Sequence, residues 1–166
     1  MVAALVVWTP LEGAQWELTD GPYGGWVYDL LTTPDGALYA VIADSGVHRS
    51  DDGGVTWRHL SATPSGRGGR LGYGGGLLYS NAGGLAVSSD RGESWVPLSP
   101  PDGSNFLAAD DLAVYSVTIE DWGSFLYRSL DGGATWTRVF NLTKWTSIGP
   151  VAFHGRDVYE PISIIR

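Results

Sequence analysis

Short runs in which apolar and polar residues alternate recur along the chain. Val27 to Thr32, Ala37 to Ile42, Gly46 to Arg49 and Trp57 to Leu60 form the first set. Alternation over four to eight positions marks a half-buried β-strand. The segments that separate them, Pro34-Asp35-Gly36, Asp44-Ser45-Gly46 and Asp51 to Gly54, are rich in turn formers. A second set has a glycine-rich start, Gly66 to Gly76, then Leu77 to Ser80, Leu85 to Ser89 and Trp95 to Leu98. A third runs through Asn105 to Ala109, Leu112 to Ile119, Phe125 to Ser129 and Trp136 to Phe140. Ile148 to Phe153 and Val158 to Ile165 read as the first two strands of another set. Ala4 to Trp8 and Gln15 to Leu18 read as the last two strands of a preceding one. No stretch carries a sustained 3.6-residue period with caps, so almost no helix is expected.

The sets share an internal repeat. Ser50 to Trp57, Ser88 to Trp95 and Ser129 to Trp136 all read S-x-D-x-G-x-[ST]-W, with tryptophans 38 and 41 positions apart. A decayed copy ends at Trp16, with Thr9, Leu11 and Gly13 where Ser, Asp and Gly are expected. Four short strands per period of about 40 residues predict an all-β fold of four-stranded antiparallel β-propeller blades. The chain is read as a single propeller over 1–166: a half blade at 1–20, whole blades at 21–61, 62–99 and 100–141, and a half blade at 142–166. The halves either pair to close a four-bladed ring or belong to a longer propeller. The second reading is preferred, because Ile162 to Arg166 stops inside an apparent strand and an open half ring exposes unpaired edges. The missing neighbours are then the remaining blades of a longer chain or a second copy.

The repeat has a structural job at every position. Asp52, Asp90 and Asp131 can accept hydrogen bonds from backbone N–H groups further along and so fix a turn. Gly54, Gly92 and Gly133 supply backbone angles that other residues resist. The hydroxyls of Ser50, Ser88 and Ser129 complete the polar satisfaction. Trp57, Trp95 and Trp136 are expected to pack under the hairpins, each burying on the order of 200 Å². Each turn offers one carboxylate rather than a cluster, so no metal site is expected.

Composition narrows the function classes. The chain has 166 residues, 24 Gly, 43% hydrophobic residues, no Cys and a formal net charge of −8. The longest apolar run, Val2 to Trp8, is far short of the roughly 20 residues of a spanning helix, so no membrane span is expected. Without cysteine there is no disulfide framework and no thiolate zinc site. Ten basic against 18 acidic residues argue against a nucleic-acid partner. His48, His59 and His154 lack ligand spacing, and the glycine-rich segments do not join a strand to a helix, so neither a metal nor a phosphate-bearing cofactor is expected. Val2 to Trp8 has no basic residues before it, so no signal peptide is visible.

The longer matches, Gly46 to Trp57 and Phe125 to Trp136, resemble the Asp-box, or BNR, repeat. The form G-[VL]-[YF]-R-S-x-D-G-G-x-T-W is found in sortilin-like receptors, photosystem II stability and assembly factors and xyloglucan-hydrolysing cellobiohydrolases. Sialidases carry a sparser version. The resemblance implies a propeller, often extracytoplasmic, whose ligands bind on the face opposite the Asp-box turns. That face would gather Tyr23, Trp26, Arg67, Arg70, Trp122 and Trp145 as ligand-binding candidates. Aromatics beside charged groups suit a protein or glycan ligand. The expected function is a non-catalytic binding or assembly scaffold. The alternative is a fragment of a glycoside hydrolase, xyloglucanase-like or, less favoured, sialidase-like. Glycoside hydrolysis needs two carboxyls about 5–10 Å apart, and Glu120 with Asp121 is the candidate source. Asp110-Asp111 reads instead as a turn. The F/Y-R-I-P signature of sialidases is absent.

Overall fold

The computed structural model describes residues 21, 25–60, 69–101, 104–120, 123–142, 147–148, 152–154, 157–159 and 162–163. Three four-stranded antiparallel sheets follow one another along the chain. The first contains β1 (Val27–Thr32), β2 (Leu38–Ile42), β3 (Gly46–Ser50) and β4 (Arg58–His59). The second contains β5 (Leu71–Gly74), β6 (Leu77–Ser80), β7 (Ala86–Ser88) and β8 (Val96–Pro97). The third contains β9 (Ser104–Ala109), β10 (Val114–Glu120), β11 (Gly123–Ser129) and β12 (Thr137–Leu142). Within each, the strands lie in chain order. The first strands neighbour one another, β1 against β5 and β5 against β9. The Asp29 carboxylate on β1 ties this inner row, accepting from the Leu71 backbone N–H at 2.8 Å. No helix occurs among the described residues. This is the all-β architecture of propeller blades.

The two strands expected near the C-terminal end are four short ones, β13 (Ser147–Ile148), β14 (Ala152–His154), β15 (Asp157–Tyr159) and β16 (Ile162–Ser163). β13 pairs with β16 and β14 with β15, as in a single hairpin. The expected N-terminal strands and the decayed repeat at Trp16 lie outside the described residues.

Several strand boundaries differ from the pattern-based reading. Leu112, placed at a strand start by its apolarity, belongs to the turn before β10 and is 57% exposed. The Asp110 carboxylate holds it there, accepting from the N–H groups of Leu112 and Ala113, both at 2.8 Å. The outer strands β4 and β8 are only two residues long. Trp57 and Trp95 belong to the preceding turns instead, and the β8 edge carries Pro97, which no interior ladder tolerates.

The three repeat turns share one hydrogen-bond set. The serine hydroxyl donates to the aspartate Oδ1 at 2.8 Å for Ser50 and Asp52, 2.8 Å for Ser88 and Asp90, and 2.7 Å for Ser129 and Asp131. The same hydroxyl accepts the glycine N–H, at 2.8 Å for Gly54 and 2.7 Å for Gly92 and Gly133. Each aspartate also accepts the backbone N–H and hydroxyl of Thr56, Ser94 or Thr135. Bonds to the ionised form favour it. The three carboxyls are therefore lowered to about 2, with the hydroxyl of Thr56, Ser94 or Thr135 as the largest cause. The Trp57 and Trp95 indole N–H groups donate to the carbonyls of Gly54 and Gly92 at 3.0 Å. The third turn departs here: among the described residues Trp136 Nε1 has no such partner. The three indoles are half-buried rather than sealed under the hairpin.

The repeat glycines also join neighbouring sheets. A Cβ on Gly92 would stand 2.6 Å from Leu60 Cδ1, and one on Gly133 would overlap Leu98 Cδ1. Leu60 and Leu98 each follow the tryptophan of the preceding turn by three positions. Gly92 and Gly133 are thus each the seat for a leucine of the sheet before. Leu60 is 2% exposed in a core with Tyr39, Val41, Val47, Leu71 and Leu78. Burying a leucine is worth about 1.5–3 kcal/mol. Tyr79 and Val114 centre the corresponding core between the second and third sheets. Gly74 permits closer approach still, since a Cβ there would overlap the Asp110 carbonyl.

A charged cluster adds to the first interface alone among the described residues. Arg58 makes a two-pronged pair with Glu93, at 2.5 and 3.1 Å. Arg91 reaches Asp35 at 2.7 Å and Asp51 at 3.1 Å. Buried Arg49 pairs with Asp51 and approaches Glu93 at 3.8 Å. Arg91 has φ 63, where the first and third turns place Gly53 (φ 76) and Gly132 (φ 71). An L-residue in that conformation costs about 1–2 kcal/mol. Arg91 holds this conformation while bridging Asp35 and Asp51.

Two outcomes follow from the turns. Gly92→Ala and Gly133→Ala are expected to destabilise by about 2 kcal/mol each in chemical denaturation. Gly36→Ala, equally at positive φ but with nothing within 4 Å of its Cβ, should cost only about 1 kcal/mol. Equal costs would remove the leucine seats from the account. For pH, a carboxyl lowered from 3.8 to about 2 gives its full stabilisation above pH 3.8 and loses it as pH falls through about 2. The melting temperature should drop across that window. The combined Asp52→Asn, Asp90→Asn, Asp131→Asn variant should be less stable at neutral pH and show a shallower acid slope.

Candidate functional site

The alternation of strands divides the connections between two ends of the sheets. The β1–β2, β5–β6 and β9–β10 turns share one end with the repeat turns. The other end carries the β2–β3, β6–β7 and β10–β11 turns and the chain entering each first strand. Trp26 and Arg70 stand at this second end. The Trp26 carbonyl accepts from Ala43 N–H at 2.9 Å, which places the tryptophan beside the β2–β3 turn at Ala43 to Ser45. The Arg70 backbone bonds the β6–β7 turn at Asn81 twice, through N–H to Asn81 Oδ1 at 2.5 Å and through its carbonyl at 3.2 Å. Glu120 ends β10 and faces Gly123 across the β10–β11 turn. Tyr23, Arg67, Asp121, Trp122 and Trp145 lie outside the described residues.

Trp26 is 81% exposed, more than the other large apolar residues described. An indole in water is a standing cost, and its flat face suits stacking against a sugar ring or an apolar side chain. Asp44, in the adjacent turn, has φ 56 and is exposed.

Next to Asp44 the fold assembles a serine–histidine pair. Ser45 Oγ lies 2.8 Å from His48 Nε2 across the start of β3. The register pairs His48 with His59 on β4, their rings 5.0 Å apart. Burial, and secondarily the His59 charge, holds the His48 imidazole below its ordinary range. His48 is therefore neutral at pH 7 and exchanges one hydrogen bond with the serine. The S-x-x-H spacing across a tight turn is the one signal in the sequence that points to this pair. Among the described residues no group of three metal-ligating side chains gathers here.

Because folding lowers the His48 pKa, its contribution to stability is complete above the unfolded value of 6.5 and is lost as pH falls below it toward the folded value. Wild-type melting temperature should decline below pH 6.5, and His48→Gln should flatten that decline while leaving the acid slope of the aspartates. An unchanged slope between pH 6.5 and 5 would place the imidazole in contact with water.

No protein-family model matches the chain. It is similar to a xyloglucanase from a Paenibacillus species, 28% identical over 131 residues, which cover 62% of this chain and 13% of that protein. Among solved structures, an ancestral GH74 enzyme superimposes with a TM-score of 0.62 at 18% identity, over 82% of this chain and 22% of the enzyme. YCF48 from Cyanidioschyzon merolae superimposes with a TM-score of 0.57 at 20% identity, over 70% of this chain and 38% of its own. A structure of YCF48 bound to D1 peptide gives a TM-score of 0.57 at 17% identity, over 71% of this chain and 42% of that one. The chain thus spans from 13% to 42% of the length of these proteins. At these structural identities the likeness establishes the propeller fold.

Proposed function

We propose that this chain is part of an Asp-box propeller that acts as a non-catalytic binding scaffold, taking a protein or glycan segment at the end opposite the repeat turns. The observation that carries the reading is Trp26, 81% exposed at that end, with Arg70 entering the next sheet at the same level. Tyr23, Arg67, Trp122 and Trp145, outside the described residues, are included in this reading by their positions in the sequence. The structure of YCF48 bound to D1 peptide supports a protein ligand, since a propeller of similar fold takes a peptide. Further blades, from a longer chain or a second copy, complete the ring in this reading. Exposed Tyr28 and Leu30 on β1, at 45% and 59%, and Val139 on β12, at 39%, are the surfaces they would cover.

A second reading, a piece of a xyloglucan hydrolase, is favoured by the sequence likeness to a xyloglucanase. In it Glu120 and Asp121 supply carboxyls and Trp26 a sugar platform.

The two readings part in one experiment. The full chain is screened on glycan and peptide arrays, and xyloglucan is assayed for release of reducing ends. The scaffold reading expects a bound ligand without hydrolysis, and about tenfold weaker binding in Trp26→Ala with an unchanged melting temperature. Hydrolysis abolished by Glu120→Gln would replace it with the enzyme reading. Unaltered affinity in Trp26→Ala for every ligand bound would remove Trp26 from the site.

A further inference from the structure

The two interfaces between sheets differ at the repeat-turn end. Between the first and second sheets the space is filled by the Arg91 side chain. Its guanidinium bridges Asp35 in the β1–β2 turn and Asp51 in the first repeat turn, at 2.7 and 3.1 Å. Tyr39 lies beneath and donates its hydroxyl to the Arg91 carbonyl at 3.3 Å. The third repeat turn has Gly132 in that place, with φ 71 against 63 for Arg91. Tyr79 takes the place of Tyr39, its hydroxyl 3.7 Å from where a Cβ on Gly132 would stand. The backbone frame is therefore repeated without the side chain that filled it.

A cleft of about 250 Å³ opens at this position between the second and third sheets. Asp110 and Asp111 line it from the β9–β10 turn, with Tyr79 and Gly132. Asp111 Oδ1 accepts from Gly75 N–H at 3.0 Å, and Asp110 Oδ1 holds its own turn. Neither carboxylate has an ion-pair partner among the described residues; both enter from the sheet that carries Gly132, whereas Asp35 and Asp51 reach Arg91 from the sheet before it. Leu112 and Leu130 also line the cleft and are 57% and 68% exposed.

We propose that this cleft receives an arginine side chain from a partner polypeptide, in the space that Arg91 fills within the chain one interface earlier. A guanidinium presents a planar fork of donors suited to paired carboxylate oxygens. The exposed leucines cover its methylene stem. The net charge of −8 draws a basic segment toward the molecule before contact. The site is at the opposite end from Trp26 and stands independently of the scaffold reading.

The test uses the full 166-residue chain and a fluorescein-labelled, end-capped pentapeptide, Gly-Ser-Arg-Ser-Gly, with its norleucine counterpart as control. Anisotropy titration should show binding of the arginine peptide about tenfold or more tighter than the control, weakening as salt is raised. Gly132→Arg, whose backbone conformation Arg91 already adopts, should fill the cleft from within and abolish binding, with a melting temperature lowered no more than that of Gly36→Ala. Asp111→Asn keeps the acceptor for Gly75 and should weaken binding about fivefold. It tests the site even if Gly132→Arg fails to fold. Equal binding of the two peptides, no binding of either, or affinity unchanged in Asp111→Asn would overturn the proposal.

Discussion

One hydroxyl at the end of each third strand organises the molecule. Ser50, Ser88 and Ser129 each donate to an aspartate and accept the N–H of a glycine four residues on. A hydroxyl does both from one atom, which an ionised carboxylate, an acceptor only, does not. The bond to the glycine N–H draws that residue inward at positive φ. Its bare Cα face is then turned to the neighbouring sheet. Closing a hairpin and seating the preceding sheet's leucine are thus consequences of one local arrangement.

That coupling accounts for the order of the sheets without long connections between them. Leu60 meets Gly92 and Leu98 meets Gly133, so the second and third turns are each finished by a residue from the sheet before. Val139 is the third member of the series and is 39% exposed. No further repeat turn faces it among the described residues. The stability of any one sheet in this design depends on its neighbours, as in other repeat architectures.

The interfaces are built on a common frame but differ in charge. Arg91 accepts a left-handed backbone in the second turn and is held by two carboxylates. Gly132 takes the same backbone in the third turn at no steric cost and leaves the space open. Repetition sets the geometry, and single substitutions on it decide whether a position closes an interface or presents a cleft.

The periodic tryptophans, the Ser-Asp-Gly turns and the strand alternation were legible in the sequence because they are local. Each depends on residues a few positions apart, and a two-residue period or a fixed turn spacing survives in one dimension. The turn role of Asp110 was legible for the same reason. Other features required three dimensions. The Ser45–His48 contact and the His48–His59 pair depend on register, the Leu60–Gly92 seat on sheet packing, and the Arg91 bridge on contacts 40 and more positions apart. Trp26 could be picked out as an aromatic before a strand, but its exposure is a property of the assembled surface. The sequence by itself determined how each sheet is made. Only the tertiary structure decided which side chains meet between sheets, because contact, burial and charge neutralisation are set by distance in space rather than by position along the chain.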